Sequence, residues 1–219
     1  MVMLIAIGIH IFTKQPSTFF LQIGMALWLG VTVIHWILFA YRNLVLGRPF
    51  ATALVYHPRE LSLEELPRVL QIDINVPRKW QVKAGQYILL SIPKLGVFSG
   101  FRGHPFMISW WKWNEKGLTI SLLVKVSTGL TSKLSQHIAE NPDEKTGEIK
   151  DEHKKLLVFI DGPYGIQHNF GDYGTVIMFA TGIGIAAHIP YIKDLMRGYS
   201  SYEVKTRRIL LVWEIDKRS

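Results

Sequence analysis

A short segment of aromatic, apolar and polar residues has the composition of a surface that could bind a flat ring. Residues 104–109 read HPFMIS and run directly into Trp110, Trp111 and Trp113. Proline suits the first residue of a strand, because its fixed φ is extended and its missing N–H costs little there. An aromatic ring, a hydroxyl and exposed main-chain groups on such a strand could bind an isoalloxazine. The segment is also typical of a tryptophan-rich strand that serves packing alone.

Two glycine-containing turns could bind phosphate groups. Gly129, Leu130 and Thr131 follow Lys125 and precede a short predicted helix, and residues 181–185 (TGIGI) precede a longer one. Backbone N–H groups at a helix N-terminus carry the positive end of the helix dipole, and glycine lets a diphosphate approach them closely. Each turn taken singly is also explained by a helix cap or by close packing.

The middle of the chain has the pattern of short strands that would carry these segments. Residues 69–76 alternate between apolar and polar, as a half-buried strand does. Further strands are predicted at 87–92, 105–112, 118–127 and 156–160, with a turn at 84–85, a hairpin at 114–117, a helix at 131–137, a charged loop at 141–155 and a rigid turn at 161–165. Short strands separated by turn residues predict an antiparallel β-barrel.

The last part of the chain changes to the order strand, glycine turn, helix and strand. Residues 175–180 and 208–213 are apolar runs, and residues 185–196 have a helical pattern. This order predicts the opening βαβ unit of a doubly wound, Rossmann-like nucleotide-binding domain.

Composition limits the class of protein and its partners. The 219 residues are 48% hydrophobic and 19% charged, which is enough for one large or two small domains with a core. The net charge is +8, and the basic residues are scattered. An anionic membrane face or phosphorylated ligands are therefore favoured as partners, and nucleic acid is not expected. The absence of cysteine excludes disulfides, iron–sulfur clusters and cysteine-ligated zinc within this sequence.

The N-terminal part is predicted to lie in a membrane. Residues 19–41 are almost wholly apolar and, at about 23 residues, long enough to span a bilayer as a helix. Residues 1–12 are interpreted as part of a preceding transmembrane helix and residues 13–18 as the loop between the two. Arg42 and Arg48 follow the long helix, whereas the loop before it carries only Lys14. The positive-inside tendency therefore predicts that the chain after Arg42 is cytosolic.

Together the motifs resemble the ferric reductase and NADPH oxidase family, whose cytosolic part is of the ferredoxin-reductase type. The matching segments lie at 84–87 (AGQY), 104–106 (HPF), 129–131 (GLT), 161–165 (DGPYG), 181–185 (TGIGI) and 211–213 (LVW). The resemblance implies a membrane segment at 1–45, an FAD-binding β-barrel at 48–165 and a partial NADPH-binding domain at 172–219. In that family electrons pass from NADPH through FAD to hemes in transmembrane helices, which reduce ferric chelates or oxygen.

The resemblance implies binding residues, and the sequence assigns no catalytic or metal-ligating residue, because the cofactor carries the chemistry. The predicted FAD-binding residues are His104, Pro105, Phe106, Met107, Ser109, Lys125, Gly129 and Thr131. The predicted NADPH-binding residues are Gly162, Pro163, Tyr164, Gly165, Thr181, Gly182, Gly184 and Ile185. The family commonly has a threonine where this sequence has Met107. Methionine cannot donate a hydrogen bond, so the flavin edge is expected to be bound by the main chain or by Ser109.

Heme is expected for the full-length family, but its ligands are not found in this sequence. His10 and His35 lie in apolar segments, and in the predicted hairpin they differ in depth by roughly 24 Å at 1.5 Å per residue, so they cannot share one iron. The family's nucleotide domain continues beyond a strand like the one that ends at Trp213. A chain that ends shortly after it is expected to lack the nicotinamide segment, although Lys217 or Arg218 could bind a 2′-phosphate.

The sequence therefore predicts an integral membrane flavin oxidoreductase of the ferric-chelate reductase type. Its partners would be the lipid bilayer, the nucleotide cofactors FAD and NADPH, and a ferric chelate or oxygen as acceptor in full-length relatives. A superoxide-producing NADPH oxidase is not separated from it by these motifs. A non-catalytic, truncated, membrane-bound fragment that binds FAD is the third interpretation, and the missing heme helices and nicotinamide segment favour it for the chain as written.

Overall fold

The structure is a computed structural model that describes residues 18–44, 50–56, 69–78, 80–95, 103–114, 117–140 and 155–215. The predictions at residues 1–17, at Arg48, at 141–154 and at Lys217 and Arg218 lie outside the described residues. The chain divides into two compact units, Met1–Tyr41 and Arg42–Ser219.

The first unit consists, in the described residues, of most of one long apolar helix. Helix α1 spans Thr18–Asn43 and contains the predicted residues 19–41. Its 26 residues correspond to roughly 39 Å at 1.5 Å per residue. Within the described part of the chain, Phe19–Asn43 is the one helix long and apolar enough to cross a membrane, with a mean hydropathy of 2.0.

In its described residues, the second unit begins with eight antiparallel strands in two sheets. They are β1 Thr52–Tyr56, β2 Val69–Val76, β3 Tyr87–Ser91, β4 His104–Met107, β5 Trp110–Asn114, β6 Gly117–Lys125, β7 Lys155–Leu157 and β8 Phe159–Tyr164. One sheet has the order β5-β6-β2-β1-β7 and the other β4-β3-β8. The predicted barrel is therefore corrected: in the described residues the strands form two sheets rather than one closed barrel. The predicted hairpin agrees with the pairing of Asn114 with Gly117.

The predicted single strand at 105–112 is wrong, because the chain changes sheet within it. Ile108 N donates to Gln86 O at 3.0 Å, beside β3, whereas Ser109 N donates to Ser121 O at 2.9 Å, on β6. The segment is thus split into β4 in the three-stranded sheet and β5 in the five-stranded sheet. The sequence pattern continues through this crossing, so it could not reveal the break.

The chain changes sheet a second time at Val158, so the predicted single strand at 156–160 is wrong. The prediction at 161–165 is corrected as well. Strand β7 pairs with β1, and strand β8 pairs with β3. Between them Val158 N donates to Ala51 O at 3.1 Å. The predicted turn at 161–165 is wrong for its first four residues, because β8 continues to Tyr164.

The two sheets enclose a continuous apolar core. Leu70, Ile72 and Ile74 of β2 are fully buried, as are Ile88 and Leu90 of β3. Because side chains alternate between the two faces of a strand, these residues form the inner faces of their sheets. Helix α2, Leu130–Glu140, begins one residue before the predicted helix and contributes apolar side chains to the same core.

The last elements form the predicted strand, helix and strand. Strand β9 spans Thr175–Thr181, helix α3 Ile185–Ser200 and strand β10 Arg208–Glu214. The two strands are parallel, with Thr175 opposite Arg208 and Thr181 opposite Glu214. The structure thus describes one βαβ unit, with a small core of Val176, Met178 and Leu195. Below, the sheet region means β1–β8 with α2, and the βαβ region means β9, α3 and β10.

Candidate flavin and nucleotide site

The predicted flavin strand β4 lies at the edge of its sheet. It pairs on one side with β3, from Leu90 opposite His104 to Tyr87 opposite Met107. In the described residues no strand pairs with its other side. Main-chain groups along such an edge can hydrogen-bond a ligand laid beside the strand.

The four side chains of β4 do not share one face. His104 and Phe106 are opposite Leu90 and Ile88, which are fully buried, and Phe106 packs against the core. Met107 lies on the other face with Tyr87, because successive side chains alternate. A flat ring beside this strand could therefore lie against His104 and Phe106 or against Met107 and Tyr87, together with the strand edge. It could not lie face-on against both pairs.

Ser109 uses its hydroxyl within the protein. Its side chain is 2% exposed, and its Oγ accepts a hydrogen bond from Leu123 N at 3.2 Å. The residue follows the crossing between the sheets and fixes β5 beside β6. A contact of Ser109 with a flavin stays a prediction, and in this geometry the main chain of β4 is the nearer source of donors for a ring beside the strand.

The turn at Gly129 is open. Gly129 has φ +76°, a backbone conformation that favours glycine, and a Cβ placed there would meet nothing within 4 Å. Helix α2 begins at the next residue, and the first helical N–H groups have no partner within the helix itself. Thr131 Oγ1 accepts a hydrogen bond from Ser127 N at 2.9 Å, and its own proton can still be donated. Lys125 is exposed at the end of β6. The turn therefore has donors and space for a diphosphate.

Two glycine segments that are distant in sequence pack main chain against main chain. A Cβ on Gly165 would lie 2.7 Å from Gly85 O, and a Cβ on Gly85 would overlap the Tyr191 hydroxyl of α3. Gly85 and Gly165 both have positive φ. Glycine is therefore required at both positions, and the end of β8 is brought against the turn that precedes β3.

An acidic residue that the sequence analysis did not assign lies beside Tyr164. Tyr164 Oη donates to Asp161 Oδ2 at 2.7 Å, and Arg42 Nη1 donates to Asp161 Oδ1 at 3.2 Å. The Tyr164 and Tyr87 rings have centroids 5.6 Å apart. Burial above all, with the Asp161 carboxylate, raises the pKa of Tyr164 above its ordinary value. Asp161 is the first residue of the DGPYG segment at 161–165, and this position was the sequence signal that could have found it. Arg42 was used in the sequence analysis only to predict which side of the membrane the chain lies on.

The turn that joins β9 to α3 is partly closed and partly open. Gly182 has φ +48°, and its carbonyl accepts a hydrogen bond from Trp213 Nε1 at 2.9 Å. Gly184 is the N-cap of α3, without a side-chain cap, and a Cβ there would meet nothing within 4 Å. The Gly184 end of the turn thus has space for a pyrophosphate. At the Gly182 end the indole of Trp213 is bound to the main chain. Thr181 and Ile185 are the flanking residues of strand and helix.

A lysine fixes α3 against β5 and so the βαβ region against the sheet region. Lys193 Nζ donates to Trp111 O at 2.6 Å and lies 4.0 Å from the Trp110 ring centroid and 4.1 Å from that of Trp111. Burial lowers the pKa of Lys193. Beside this contact lies a cavity of about 330 Å³ that includes Lys83 and Arg197 in its lining. This contact is therefore one of those that fix the relative position of the two glycine turns.

Comparison with known proteins identifies the family. A family model described as an FAD-binding domain matches residues 58–168. Ferric reductase transmembrane component 1 of Schizosaccharomyces pombe is 27% identical over 161 residues, which cover 59% of this chain and 27% of the relative. Respiratory burst oxidase homolog protein A of Solanum tuberosum is 26% identical over 159 residues, which cover 68% of this chain and 16% of the relative. The chain belongs to the ferric reductase and NADPH oxidase family.

A solved structure supports the same fold for this family member. The NADH-dependent reduced ferredoxin–NADP oxidoreductase aligns over 79% of this chain and 51% of its own, with a TM-score of 0.52 and 21% identity. This ferric reductase and NADPH oxidase family member therefore has a sheet-rich, ferredoxin-reductase-like fold. The chain spans less than a third of the length of either sequence relative.

Proposed function

We propose that the chain is the FAD-binding part of a membrane oxidoreductase of the ferric-chelate reductase type, which passes electrons from NADPH through FAD toward a transmembrane acceptor. The observation that carries the proposal is the open Gly129 turn at the start of α2, inside the segment that matches an FAD-binding domain. When bound, FAD would accept a hydride and donate single electrons. The residues of this chain would bind and orient it.

The FAD-binding residues would act in two groups. Gly129, Thr131 and Lys125 would bind the diphosphate through helix amides, a hydroxyl and a positive charge. Pro105 and Met107 would contact the isoalloxazine together with the edge of β4, and His104 and Phe106 would hold that strand from its opposite face. Ser109 would hold the main chain that follows. Met107 lacks a donor, so the main chain of β4 would hydrogen-bond the flavin edge.

The NADPH-binding residues would lie on both sides of the segment that joins β8 to β9. Thr181, Gly182, Gly184 and Ile185 would receive the pyrophosphate, and the open Gly184 end of the turn supports this. Gly162, Pro163, Tyr164 and Gly165 would face the nicotinamide side. Hydride transfer requires the reacting atoms to be held within about 3 to 3.5 Å, so the Lys193 contact that orients α3 would affect its rate.

The apolar helix α1 supports a membrane location. Arg42, the first charged residue after the apolar stretch, supports a cytosolic position for the sheet region by the positive-inside tendency. In such an arrangement the lipid bilayer would surround α1, and a heme in full-length relatives would be the next electron carrier.

FAD retention by the detergent-solubilised chain tests the proposal. We expect the purified protein to carry flavin absorbance or to acquire it when FAD is added, and His104→Ala to weaken retention. His168→Ala is the matched control, because His168 is an exposed histidine beyond β8 that stacks on Phe170. A folded protein that takes up no FAD would contradict the proposal.

The similarity to a respiratory burst oxidase supports superoxide production as a second candidate function. The two candidates differ in the acceptor and not in the flavin site. The protein reconstituted in vesicles with NADPH inside would separate them. Reduction of an external ferric chelate without oxygen would favour the reductase, and superoxide that is unaffected by the chelate would favour the oxidase.

A further inference from the structure

A partly buried carboxylate joins Arg42 to Tyr164. Asp161 Oδ2 accepts a hydrogen bond from Tyr164 Oη at 2.7 Å, and Asp161 Oδ1 accepts one from Arg42 Nη1 at 3.2 Å. The Asp161 side chain is 14% exposed and that of Arg42 is 31% exposed. Hydrogen bonds to ionised groups are stronger than neutral ones, and a low local dielectric strengthens them further. The tyrosine hydroxyl is thus held by a carboxylate that is itself held by a guanidinium.

The residue after Arg42 fixes the main chain of the same strand. Asn43 Nδ2 donates to Ile160 O at 2.8 Å, and Asn43 Oδ1 accepts from Ile160 N at 2.8 Å. Asn43 is 3% exposed. Arg42 and Asn43 belong to the same compact unit as β8. Two consecutive residues therefore hold both the main chain at Ile160 and the side chain at Asp161.

The Tyr164 ring continues a row of side chains that begins on the predicted flavin strand. Met107 on β4 is opposite Tyr87 on β3, and Tyr87 is opposite Tyr164 on β8. Directly opposed residues of antiparallel strands point to the same face, about 4.5–5.5 Å apart at Cβ. The two tyrosine rings are tilted by 34°. Together they form an aromatic surface that adjoins Met107.

We propose that Asp161, held by Arg42, is a positioning residue that orients the Tyr164 ring against Tyr87, and that this tyrosine pair is the aromatic wall of the flavin site. The inference rests on the proposed function, because it assumes that a flavin lies along β4. It extends the proposed site to a salt bridge and to a residue, Arg42, outside the segment that matches the FAD-binding domain.

The sheet region contains a matched control for this network. Tyr56 Oη donates to Asp73 Oδ2 at 2.7 Å, the same distance as between Tyr164 and Asp161. The second donor to Asp73 is the neutral amide of Gln71, at 3.1 Å. This pair lies on β1 and β2 of the five-stranded sheet. Asp73→Asn therefore removes a comparable tyrosine–carboxylate bond away from β4.

FAD titration of the detergent-solubilised full chain tests the inference. We expect Asp161→Asn to raise the Kd for FAD roughly tenfold, the equivalent of one hydrogen bond of about 1.4 kcal/mol, and to shift the visible absorption bands of the bound flavin. Arg42→Gln should weaken FAD binding, and Arg42→Lys should restore most of it by keeping the charge. Asp73→Asn should leave both the Kd and the flavin spectrum unchanged. An Asp161→Asn protein that binds FAD as Asp73→Asn does would overturn the inference.

A second measurement follows Tyr164 without the cofactor. The difference in phenolate absorbance between the parent protein and Tyr164→Phe isolates the titration of this one residue. We expect the Tyr164 phenolate to form at lower pH in Asp161→Asn, because a carboxylate no longer disfavours it. An unchanged titration would overturn the positioning role of Asp161. A parent chain that takes up no FAD would reject the proposed function and the flavin wall with it, whereas uptake that is insensitive to Asp161→Asn rejects this inference alone.

Discussion

The sheet region and the βαβ region bury their apolar residues to different extents. In the sheet region the inner faces of two sheets and α2 enclose one large core, in which many side chains are fully buried. In the βαβ region α3 covers one face of a two-stranded sheet, and every residue of β10 is exposed. On the other face of that sheet Phe179 is 70% exposed and Leu210 54% exposed. Parallel sheets in proteins are ordinarily covered on both faces.

The sheet region therefore contributes most of the buried core, whereas the βαβ region has more of its apolar surface exposed. The sheet region has the packing of a self-sufficient core, so its strands should set the free energy of unfolding. The βαβ region depends on a few contacts with α3 and on the Lys193 bond to β5. Substitutions in the two regions should therefore have effects of different size, and four experiments can break or sharpen the comparison.

The largest expected difference is between matched core truncations. Ile72→Ala removes a fully buried side chain from β2, the central strand of the five-stranded sheet, and should cost about 2 to 5 kcal/mol of unfolding free energy. Met178→Ala in β9 should cost less than about 2 kcal/mol, because a site beside an exposed strand can collapse or admit water. Urea unfolding in detergent, followed by tryptophan fluorescence, measures both. Equal losses would show that the βαβ region is packed as well as the sheet region.

A pair of asparagines gives the next largest expected difference. Asn43→Ala leaves the buried N–H and C=O of Ile160 without the side-chain amide, which should cost about 2 to 3 kcal/mol. Asn169→Ala removes an exposed side-chain hydrogen bond to Asp172, and both residues lie in the segment that joins β8 to β9. It should change the unfolding free energy by less than about 0.5 kcal/mol. Thermal and urea unfolding of both variants test this. A mild Asn43→Ala effect would mean that water replaces the lost amide.

The Tyr56–Asp73 bond should make the sheet region sensitive to alkaline pH. Burial first, then Asp73, raises the pKa of Tyr56 well above its ordinary value of 10.0. The unfolded chain therefore releases this proton at lower pH than the folded protein. The contribution of Tyr56 is fully present below about pH 10 and is lost as pH rises through the folded pKa. Tyr56→Phe should cost about 1 kcal/mol at neutral pH. The difference in unfolding free energy between Tyr56→Phe and the parent protein should become smaller above pH 10. A difference that becomes larger there would contradict the raised pKa of Tyr56.

The smallest expected effect on stability is on the exposed face of β9 and β10. Phe179→Glu should change the unfolding free energy by less than about 0.5 kcal/mol, because the side chain is largely in solvent. It should lower self-association, measured by light scattering in detergent, because it breaks an apolar patch. Met178→Glu, on the covered face of the same strand, is the control that should unfold the region. A large loss of stability in Phe179→Glu would show that this face is covered.

Local patterns were sufficient for most elements. The apolar run from residue 19, the alternation at 69–76 and the order strand, glycine turn, helix and strand after 174 all predicted elements that the structure contains. Each of these signals depends on periodicity or on turn residues within one segment. Strand β1 was not predicted, and its five residues pair with both β2 and β7. Its existence depends on partners far along the chain.

The candidate site divides in the same way. The glycines of the two turns were assigned from the sequence, and Gly129 and Gly182 have the positive φ that favours glycine. The orientation of His104 and Phe106 on one face and Met107 on the other required the register of β4 against β3. The hydrogen bond from Leu123 N to the Ser109 hydroxyl also required the tertiary structure, because Leu123 is on β6 and Ser109 precedes β5.

The sequence by itself determined the apolar helix, the glycine turns and the family resemblance, since these depend on residue types at short spacing. Only the tertiary structure decided where the chain crosses between sheets, at Ile108 and Ser109 and again at Val158. It alone joined Arg42 to Asp161, which are 119 residues apart. The physical reason is that a crossing between sheets or a partly buried ion pair forms with a partner that is close in space but distant in sequence. No periodicity within one segment contains that information.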